Sequence, residues 1–300
     1  MKIIVTGSLG NIGKPLTQEL IKNGHSVTVV SSNLARKEEI ESLGAKAAIG
    51  ELQDTAFISK TFEGADVVYT MATNGASTFF DQDVDIIDYM VQIAKNYKQA
   101  IEKNNIKKVV HLSSIGAHTD KENGILRFHY EVEKVMNQLP EDVSIKIMRP
   151  TGFYTNILRS IPTIKNQGAI ISNYGGDQKE PWVSPKDIAS AIAEEIELPF
   201  NGTSIRYLAS DEASPNEIAA IIGKAIGMEN LNWTKISDEQ MLNGMLSAGM
   251  NKQISEGFVA MQAAQGSGVL YEDFYKNKPE FGKTKLDDFA KDFATVYNAQ

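Results

Sequence analysis

The strongest constraint on this chain is a strand, a glycine-rich turn and a helix within its first twenty residues. An apolar strand over residues 1–5 runs into a turn with three glycines, and residues 14–20 begin a helix. In such a βαβ unit the glycines allow the tight turn, the approach of backbone to a pyrophosphate, and close helix–strand packing. The helix N-terminus adds free N–H groups and a positive dipole end. A glycine-rich turn can also be purely structural. The spacing predicts a dinucleotide site at Gly7, Ser8, Gly10, Asn11, Ile12 and Gly13.

Composition narrows the classes of protein and of site. The net charge of −8 argues against a nucleic-acid surface, which needs a basic stripe. The lack of cysteine excludes disulfides, thiolate metal sites and cysteine nucleophiles, and no His, Asp or Glu spacing favours a metal. No run approaches the roughly 18 apolar residues of a membrane span, and the early strand leaves no room for a signal peptide. We expect a cytoplasmic chain without metal, membrane or direct nucleic-acid partner.

Strands and helices alternate through the first half of the chain, a pattern typical of a parallel sheet covered on both faces. The strands are predicted at residues 1–5, 27–30, 45–49, 66–70, 108–113, 144–148 and 204–208. The predicted fold class is α/β, a Rossmann-type doubly wound parallel sheet with a smaller, mostly helical C-terminal portion. We expect residues 1–155 to bind the dinucleotide and residues 156–300 to cover the substrate, with about 182–209 packing back on the sheet.

Ligands of such sheets bind beyond the carboxyl ends of the strands. Besides the glycine turn, the cofactor is therefore expected to contact residues that follow several strands. These residues are Ser31, Glu51, Met71, Ala72, Thr73 and Ser113. The second half of the chain should then shape a pocket for a small-molecule substrate.

The end of the second strand indicates which nicotinamide dinucleotide binds. An NAD site usually carries an acid about 20 residues past the glycines, to bond the ribose 2′-hydroxyl. Here the strand ends in Ser31, Ser32 and Asn33, and Arg36 follows. Hydroxyls and a guanidinium can hold a 2′-phosphate that a carboxylate would repel. The pattern favours NADP(H) over NAD(H), although Arg36 could also simply face water at a helix start.

Several segments together resemble the NmrA-like group of atypical short-chain dehydrogenases, including its quinone-oxidoreductase members. The resemblance covers about residues 1–230, and the last seventy residues are only vaguely similar. It implies a reductase that uses a nicotinamide cofactor. The segments are 6–13 (TGSLGNIG), 50–54 (GELQD), 113–114 (SS), 129–133 (HYEVE), 148–156 (MRPTGFYTN) and 182–189 (WVSPKDIA).

Tyr130 and Lys134 have the Tyr-x-x-x-Lys spacing of the catalytic pair in ordinary short-chain dehydrogenases, and such a pair shares one helix face. In extended members of that superfamily, a glutamate commonly follows the catalytic lysine by four positions. If Glu133 is that glutamate, His129 occupies the lysine position and Ile125 the tyrosine position. This register makes Tyr130 and Lys134 coincidental, so both alternatives stay open for the catalytic group.

Other candidates have a functional and a structural interpretation. His129 precedes Glu133 by one helical turn, so the two could pair or merely stabilise the helix. If they pair beside the nicotinamide, activity should titrate near the ordinary histidine value of about 6.5, shifted by Glu133. Ser113 and Ser114 follow a strand where the superfamily places a substrate-side hydroxyl, or they cap it. The substrate is expected to contact Ser114, Phe153, Tyr154 and Asn156, although aromatic residues after a strand are as often core.

Three functions fit these observations. The first is an NADPH-dependent reductase of quinones or similar conjugated acceptors. The second is a non-catalytic redox sensor that binds NADP and signals to a partner protein. The third is a sugar-nucleotide epimerase or reductase. The absence of a tyrosine in the expected register argues against this third function.

Replacing Arg36 with glutamine should weaken NADPH binding more than NADH binding. A charge-assisted phosphate contact is worth about 1.5–3 kcal/mol, or roughly ten- to over a hundred-fold in affinity. Titration of both cofactors into the variant measures the difference. Equal losses would show that Arg36 points into solvent.

Overall fold

The computed structural model describes residues 1–73 and 75–300 and is built on a central sheet of seven parallel strands. The order across the sheet is β3-β2-β1-β4-β5-β6-β10, which is the doubly wound order with one added strand. This arrangement confirms the predicted fold class. The strands are β1 (Lys2–Val5), β2 (Ser26–Ser31), β3 (Lys46–Ile49), β4 (Val67–Met71), β5 (Lys108–Leu112), β6 (Ser144–Pro150) and β10 (Thr203–Leu208).

Helices cover both faces of this sheet, so its strands are apolar on both sides. On β1, Ile3 and Val5 face one core cluster and Ile4 faces the other. The first cluster includes residues of α1 (Gly13–Lys22), α2 (Lys37–Ser42) and α7 (Pro185–Glu197). The second includes residues of α3 (Thr55–Thr61), α4 (Ile86–Lys103) and α5 (Arg127–Met136).

Among the residues that the structure describes, the C-terminal portion combines short strands with six helices besides α7, which packs on the central sheet. β10 returns to the central sheet beside β6, as the sequence predicted. The short strands β7 (Gly152–Phe153), β9 (Glu180–Val183) and β11 (Asp211–Ala213) form one sheet, and β8 (Ala169–Ser172) pairs with β12 (Asn232–Lys235). The helices are α6 (Ile161–Gln167), α8 (Pro215–Ile226), α9 (Asp238–Ser247), α10 (Lys252–Ser267), α11 (Glu272–Lys276) and α12 (Leu286–Ala299).

Side-chain caps begin many of the helices, and α1 differs from them. In α3, α4, α7 and α8, a side-chain oxygen at the N-cap accepts a hydrogen bond from a backbone N–H of the first turn. The N-cap residues, in the same order, are Asp54, Asp85, Ser184 and Ser214. These oxygens satisfy N–H groups that have no partner within the helix. The N-cap position of α1 is Ile12, whose side chain has no oxygen. No side chain therefore caps the first turn of α1, in which Lys14 N donates to Gly10 O at 3.2 Å and Pro15 has no N–H.

Asp187 joins the C-terminal segment to the Rossmann portion. From the first turn of α7, its carboxylate accepts hydrogen bonds from Ser210 Oγ at 2.6 Å and from Thr284 N and Oγ1 at 3.0 Å. Ser210 lies between β10 and β11, and Thr284 lies just before α12. One carboxylate thus fixes two connections that are distant in sequence.

Replacing Asp187 with alanine should lower the free energy of unfolding by about 2–4 kcal/mol, because the donors on Ser210 and Thr284 lose a charged acceptor. The matched control is Asp292→Ala, which removes an exposed pair with Lys186 at 3.2 Å. Such surface pairs contribute about 0–1 kcal/mol. Urea unfolding of both variants checks the difference, and similar losses would show that Asp187 is not an anchor.

Candidate active site

Two glycines of the turn after β1 are required by close packing. Gly7 has a φ of +87°, and a Cβ on it would fall within 3.0 Å of Met71 on β4. A Cβ on Gly13 would likewise overlap the backbone carbonyl of Ser8, whose own φ is +59°. These positions bring α1 close to the sheet. They allow no larger residue without movement of the backbone or of Met71.

The remaining glycine leaves an open space above the helix N-terminus. A Cβ on Gly10 would meet only the carbonyl oxygen of Gly7, at 3.6 Å. Gly10 and Asn11 are exposed, and the first turn of α1 carries no acidic residue. An uncapped helix end without a negative charge is suited to an anionic ligand. The turn therefore fits the pyrophosphate of a dinucleotide.

The segment after β6 lies next to this turn. Asn11 Nδ2 donates to Thr155 Oγ1 at 3.4 Å, which joins the glycine turn to a short 3₁₀ helix (Tyr154–Ser160). Asn156 is exposed on the same segment. A ligand that extends from the turn toward β5 and β6 would thus pass beside residues 151–156.

The serines expected to bind the adenosine phosphate have different environments. Ser31 is buried, and its hydroxyl accepts hydrogen bonds from Ser8 Oγ at 2.9 Å and from Asn33 N at 3.2 Å. Ser32 is exposed, whereas the Asn33 side chain accepts a hydrogen bond from Ala35 N at 2.9 Å. Ser31 therefore shapes the turn after β2, and Ser32 remains accessible.

Arg36 points to a carboxylate near the glycine turn. Its guanidinium contacts Glu39 at 2.5 Å, and Lys14 from the first turn of α1 contacts the same carboxylate at 2.9 Å. The hydrogen bonds from Lys14 and Arg36 lower the pKa of Glu39. Two cations thus converge beyond the end of β2.

The backbone at the end of β4 is held by two buried side chains. Met71 N donates to Thr6 Oγ1 at 3.0 Å, and Tyr97 OH donates to Met71 O at 3.0 Å. Ala72 is buried and Thr73 is half-buried, while Glu51, after β3, is exposed. The edge of the crevice beside the glycine turn is therefore rigid at Met71.

A buried polar cluster lies beyond the ends of β5 and β6. Ser113 Oγ donates to Glu133 Oε1, and Arg149 donates to both carboxylate oxygens of Glu133, at 2.9 and 2.6 Å. The side chains of Arg149 and Glu133 are 7% and 5% exposed. The Ser113 hydroxyl hydrogen is thereby committed to Glu133, so its oxygen offers lone pairs only.

The same arginine reaches the C-terminal portion. Arg149 also donates to Tyr207 OH at 3.0 Å, and Tyr207 OH donates to Asp273 at 2.5 Å. Burial opposes the charge of Arg149, but the hydrogen bonds and charge of Glu133 raise its pKa. A groove of about 640 Å³ adjoins Arg149, Tyr207 and Asp273, and the residues that line it include none of the glycine turn.

Helix α5 presents His129 and the Tyr130–Lys134 pair on different sides. Lys134 is exposed, bonds Glu131 at 2.8 Å and lies 5.4 Å from the centre of the Tyr130 ring. The guanidinium of Arg127 lies 5.9 Å from the centre of the same ring. Glu133 and Val132 are buried on the inner side. The Tyr130 ring is therefore held among surface charges.

His129 does not pair with Glu133, contrary to that interpretation of the spacing. The carboxylate bonds Arg149 and Ser113 instead, and His129 Nδ1 is enclosed without a hydrogen-bond partner within the described residues. The side chain as a whole is half-buried. Burial, and secondarily the nearby His111, lowers the pKa of His129. The lowered pKa favours the neutral imidazole at physiological pH, so an imidazolium near 6.5 is not expected.

The residues expected to contact the substrate lie in different environments in the structure. Tyr154 is fully buried, stacks on Phe289 with ring centres 5.5 Å apart, and donates to Thr284 O at 3.4 Å. Phe153 packs against the core cluster of α1 and α7. Ser114 is half-buried. Tyr154 thus belongs to the C-terminal core and not to a pocket wall, because α12 supplies its partner from far along the chain.

Sequence reasoning did not single out several polar residues that shape the site: Thr6, Lys14, Glu39 and Tyr97. Each acts through a partner distant in sequence, such as Met71 for Thr6 and Tyr97. The position of Lys14 directly after Gly13 is the one local signal that could have indicated a cation beside the turn. In residues 1–73 and 75–300, no group of three or more metal-ligating side chains could hold a metal, and no helix is long and apolar enough to span a bilayer.

Comparison with known proteins agrees with the predicted resemblance. The model of the NmrA-like family matches residues 1–290, further along the chain than the motifs alone indicated. An NAD(P)H azoreductase of Xenophilus azovorans is 21% identical over 87% of this chain and 86% of its own length.

Solved structures share the fold at low identity. An NADPH-dependent quinone oxidoreductase of Escherichia coli, in complex with NADPH, superposes with a TM-score of 0.77 at 19% identity, over 97% of this chain and 99% of its own. A nucleoside-diphosphate-sugar epimerase of Staphylococcus aureus superposes with a TM-score of 0.75 at 16% identity, over 97% and 100% of the two chains.

Replacing Gly10 with valine should raise the dissociation constant of a dinucleotide by at least about a hundred-fold, because the side chain fills the space that a pyrophosphate needs. The fold should persist, since a Cβ there meets nothing closer than 3.6 Å. Gly13→Ala is the matched control and should lower the melting temperature, because its Cβ overlaps Ser8. Cofactor titration and thermal unfolding measure the two effects. Unchanged affinity in folded Gly10→Val protein would make the turn purely structural.

Proposed function

The chain belongs to the NmrA-like family, and from this premise we propose that it is an NADPH-dependent reductase of quinones or similar conjugated acceptors. The observation that carries the proposal is the combination of an open glycine turn with a helix α5 that holds Tyr130 and Lys134 among surface charges. The azoreductase and quinone oxidoreductase among the similar proteins support an oxidoreductase.

The chemistry of the acceptor follows from the groups available to move a proton. Reduction of an isolated ketone forms a poorly stabilised alkoxide, and a positioned general acid contributes about 10²–10⁴-fold to such a step. A conjugated acceptor delocalises the incoming charge, and solvent can supply the proton. With Tyr130 and Lys134 held among surface charges, a conjugated acceptor suits this site better.

The preference for NADP(H) rests on charge beyond the end of β2. Lys14 and Arg36 outnumber the single carboxylate of Glu39, so the group keeps a net positive charge. A 2′-phosphate is attracted by such a group, whereas NADH has no phosphate there. The accessible hydroxyl of Ser32 supports the same preference.

In this proposal, the residues of the site have the following roles. Gly7, Gly10 and Gly13 would admit the pyrophosphate to the N-terminus of α1, and a bound cofactor would supply the hydride. Ser113, oriented by Glu133, would accept a hydrogen bond from a donor on the cofactor or the acceptor. His129, kept neutral by burial, orients the acceptor and does not act as an imidazolium acid.

A sugar-nucleotide epimerase is the less favoured alternative, although a solved epimerase structure shares the fold of this chain. Epimerisation consumes and regenerates an alkoxide, so it needs a general acid–base group at the carbon concerned. A redox sensor would bind NADP without turnover. Steady-state NADPH oxidation across a panel of quinones separates it from the reductase, because tight binding without turnover would favour the sensor.

Tyr130→Phe should retain most of the quinone-reductase activity, whereas His129→Ala should lower kcat/KM by about ten-fold or more through lost orientation of the acceptor. The conservative variant His129→Asn should recover part of the loss. Steady-state kinetics with one quinone measures all three. Inactive Tyr130→Phe protein beside active His129→Ala protein would restore the tyrosine–lysine mechanism.

The pH dependence of kcat tests the protonation state of His129 independently of these variants. Because burial lowers the pKa of His129 to about 3, the imidazole binds no proton between about pH 5 and 8. We therefore expect kcat to be flat across that range in the wild-type protein. A rise or fall centred near pH 6.5 that disappears in His129→Ala would contradict the neutral imidazole.

A further inference from the structure

One exposed carboxylate bridges two cations that belong to different elements of the cofactor site. Glu39 Oε1 contacts Lys14 Nζ at 2.9 Å, and Glu39 Oε2 contacts Arg36 at 2.5 Å. The side chains of Lys14, Arg36 and Glu39 are 46%, 47% and 33% exposed. A ligand in solvent can therefore reach all three groups.

The position of this triad gives it a ligand-facing role. Lys14 follows Gly13 in the first turn of α1, and Arg36 ends the short 3₁₀ helix (Leu34–Arg36) after β2. Glu39 lies in α2, and its contact with Lys14 spans from α2 to α1. The triad thus lies across the crevice where the adenosine half of a dinucleotide binds in this fold.

While both cations bond the same carboxylate, part of their charge and one donor nitrogen of each are directed at Glu39 and not at a phosphate. A 2′-phosphate can replace the carboxylate as their acceptor, since both are anions with oxygens suited to guanidinium and ammonium donors. The exchange releases Glu39 beside the incoming phosphate, where like charges repel. Removing the charge of Glu39 would remove both the competition and the repulsion.

We propose that Glu39 is a specificity-determining residue, which limits the preference for NADP(H) over NAD(H) by competing with the 2′-phosphate for Lys14 and Arg36. This inference rests on the proposed function, because it presumes that NADP(H) is the better ligand. It assigns the carboxylate an effect on phosphate recognition and none on hydride transfer.

The experiment compares Glu39→Gln with Glu38→Gln, which removes the same charge from an exposed residue one position earlier in α2. NADPH, NADH, adenosine 2′,5′-bisphosphate and 5′-AMP are titrated into the wild-type protein, both variants and Arg36→Gln. We expect Glu39→Gln to bind NADPH and the bisphosphate about ten-fold more tightly, with NADH and 5′-AMP changed less than about two-fold. Glu38→Gln should resemble the wild type. An exposed pair contributes little to stability, so Glu39→Gln should fold normally.

Three other outcomes overturn the inference, and each has a different meaning. Unchanged NADPH affinity in Glu39→Gln, with weaker binding in Arg36→Gln, would reject competition while the proposed cofactor preference stands. Weaker binding of all four ligands in Glu39→Gln would mean that the carboxylate bonds the ribose. If wild-type protein binds NADH as tightly as NADPH, the proposed preference itself fails, and the inference fails with it.

Discussion

The site depends on how closely the turn after β1 packs against its neighbours. Gly7 lies against Met71, and Gly13 lies against the backbone of Ser8. These contacts set the distance between α1 and the sheet, and they leave Gly10 open to the crevice. Because Thr6 and Tyr97 hold the backbone of Met71, the packing of α4 also supports the turn. An anion at the N-terminus of α1 would thus meet a preformed surface.

The buried cluster of Ser113, Glu133 and Arg149 supports the other half of the crevice. It connects β5, α5 and β6, and through Tyr207 it reaches β10 and α11. Removing one partner from a buried ion pair typically costs about 3–5 kcal/mol, because the other charge is left uncompensated. The cluster therefore fixes the Ser113 hydroxyl and joins the C-terminal portion to the sheet. Structural support and orientation of a polar group arise here from the same contacts.

The sequence predicted the parts of the molecule that depend on local pattern. β1, β2 and β4–β6 were foreseen because strands covered on both faces are rich in apolar residues, and the glycine turn was foreseen from its spacing. Partners distant in sequence were not foreseen. The spacing suggested His129 as a partner of Glu133, but Arg149 bonds it from β6. Tyr154, expected in a pocket, packs against Phe289. The short strands β7, β8, β9, β11 and β12 have too few residues for an alternating pattern.

Anaerobic single-turnover reduction of a quinone by the protein–NADPH complex tests the central claim most directly. Loss of the reduced-nicotinamide absorbance follows the chemical step, and NADPH deuterated at the transferred position identifies hydride transfer. The account predicts a protein-dependent loss of absorbance that equals the enzyme-bound NADPH and is slowed by deuterium. Bound NADPH that persists in the presence of excess quinones would contradict a reductase. Cofactor binding would then be the function of the fold.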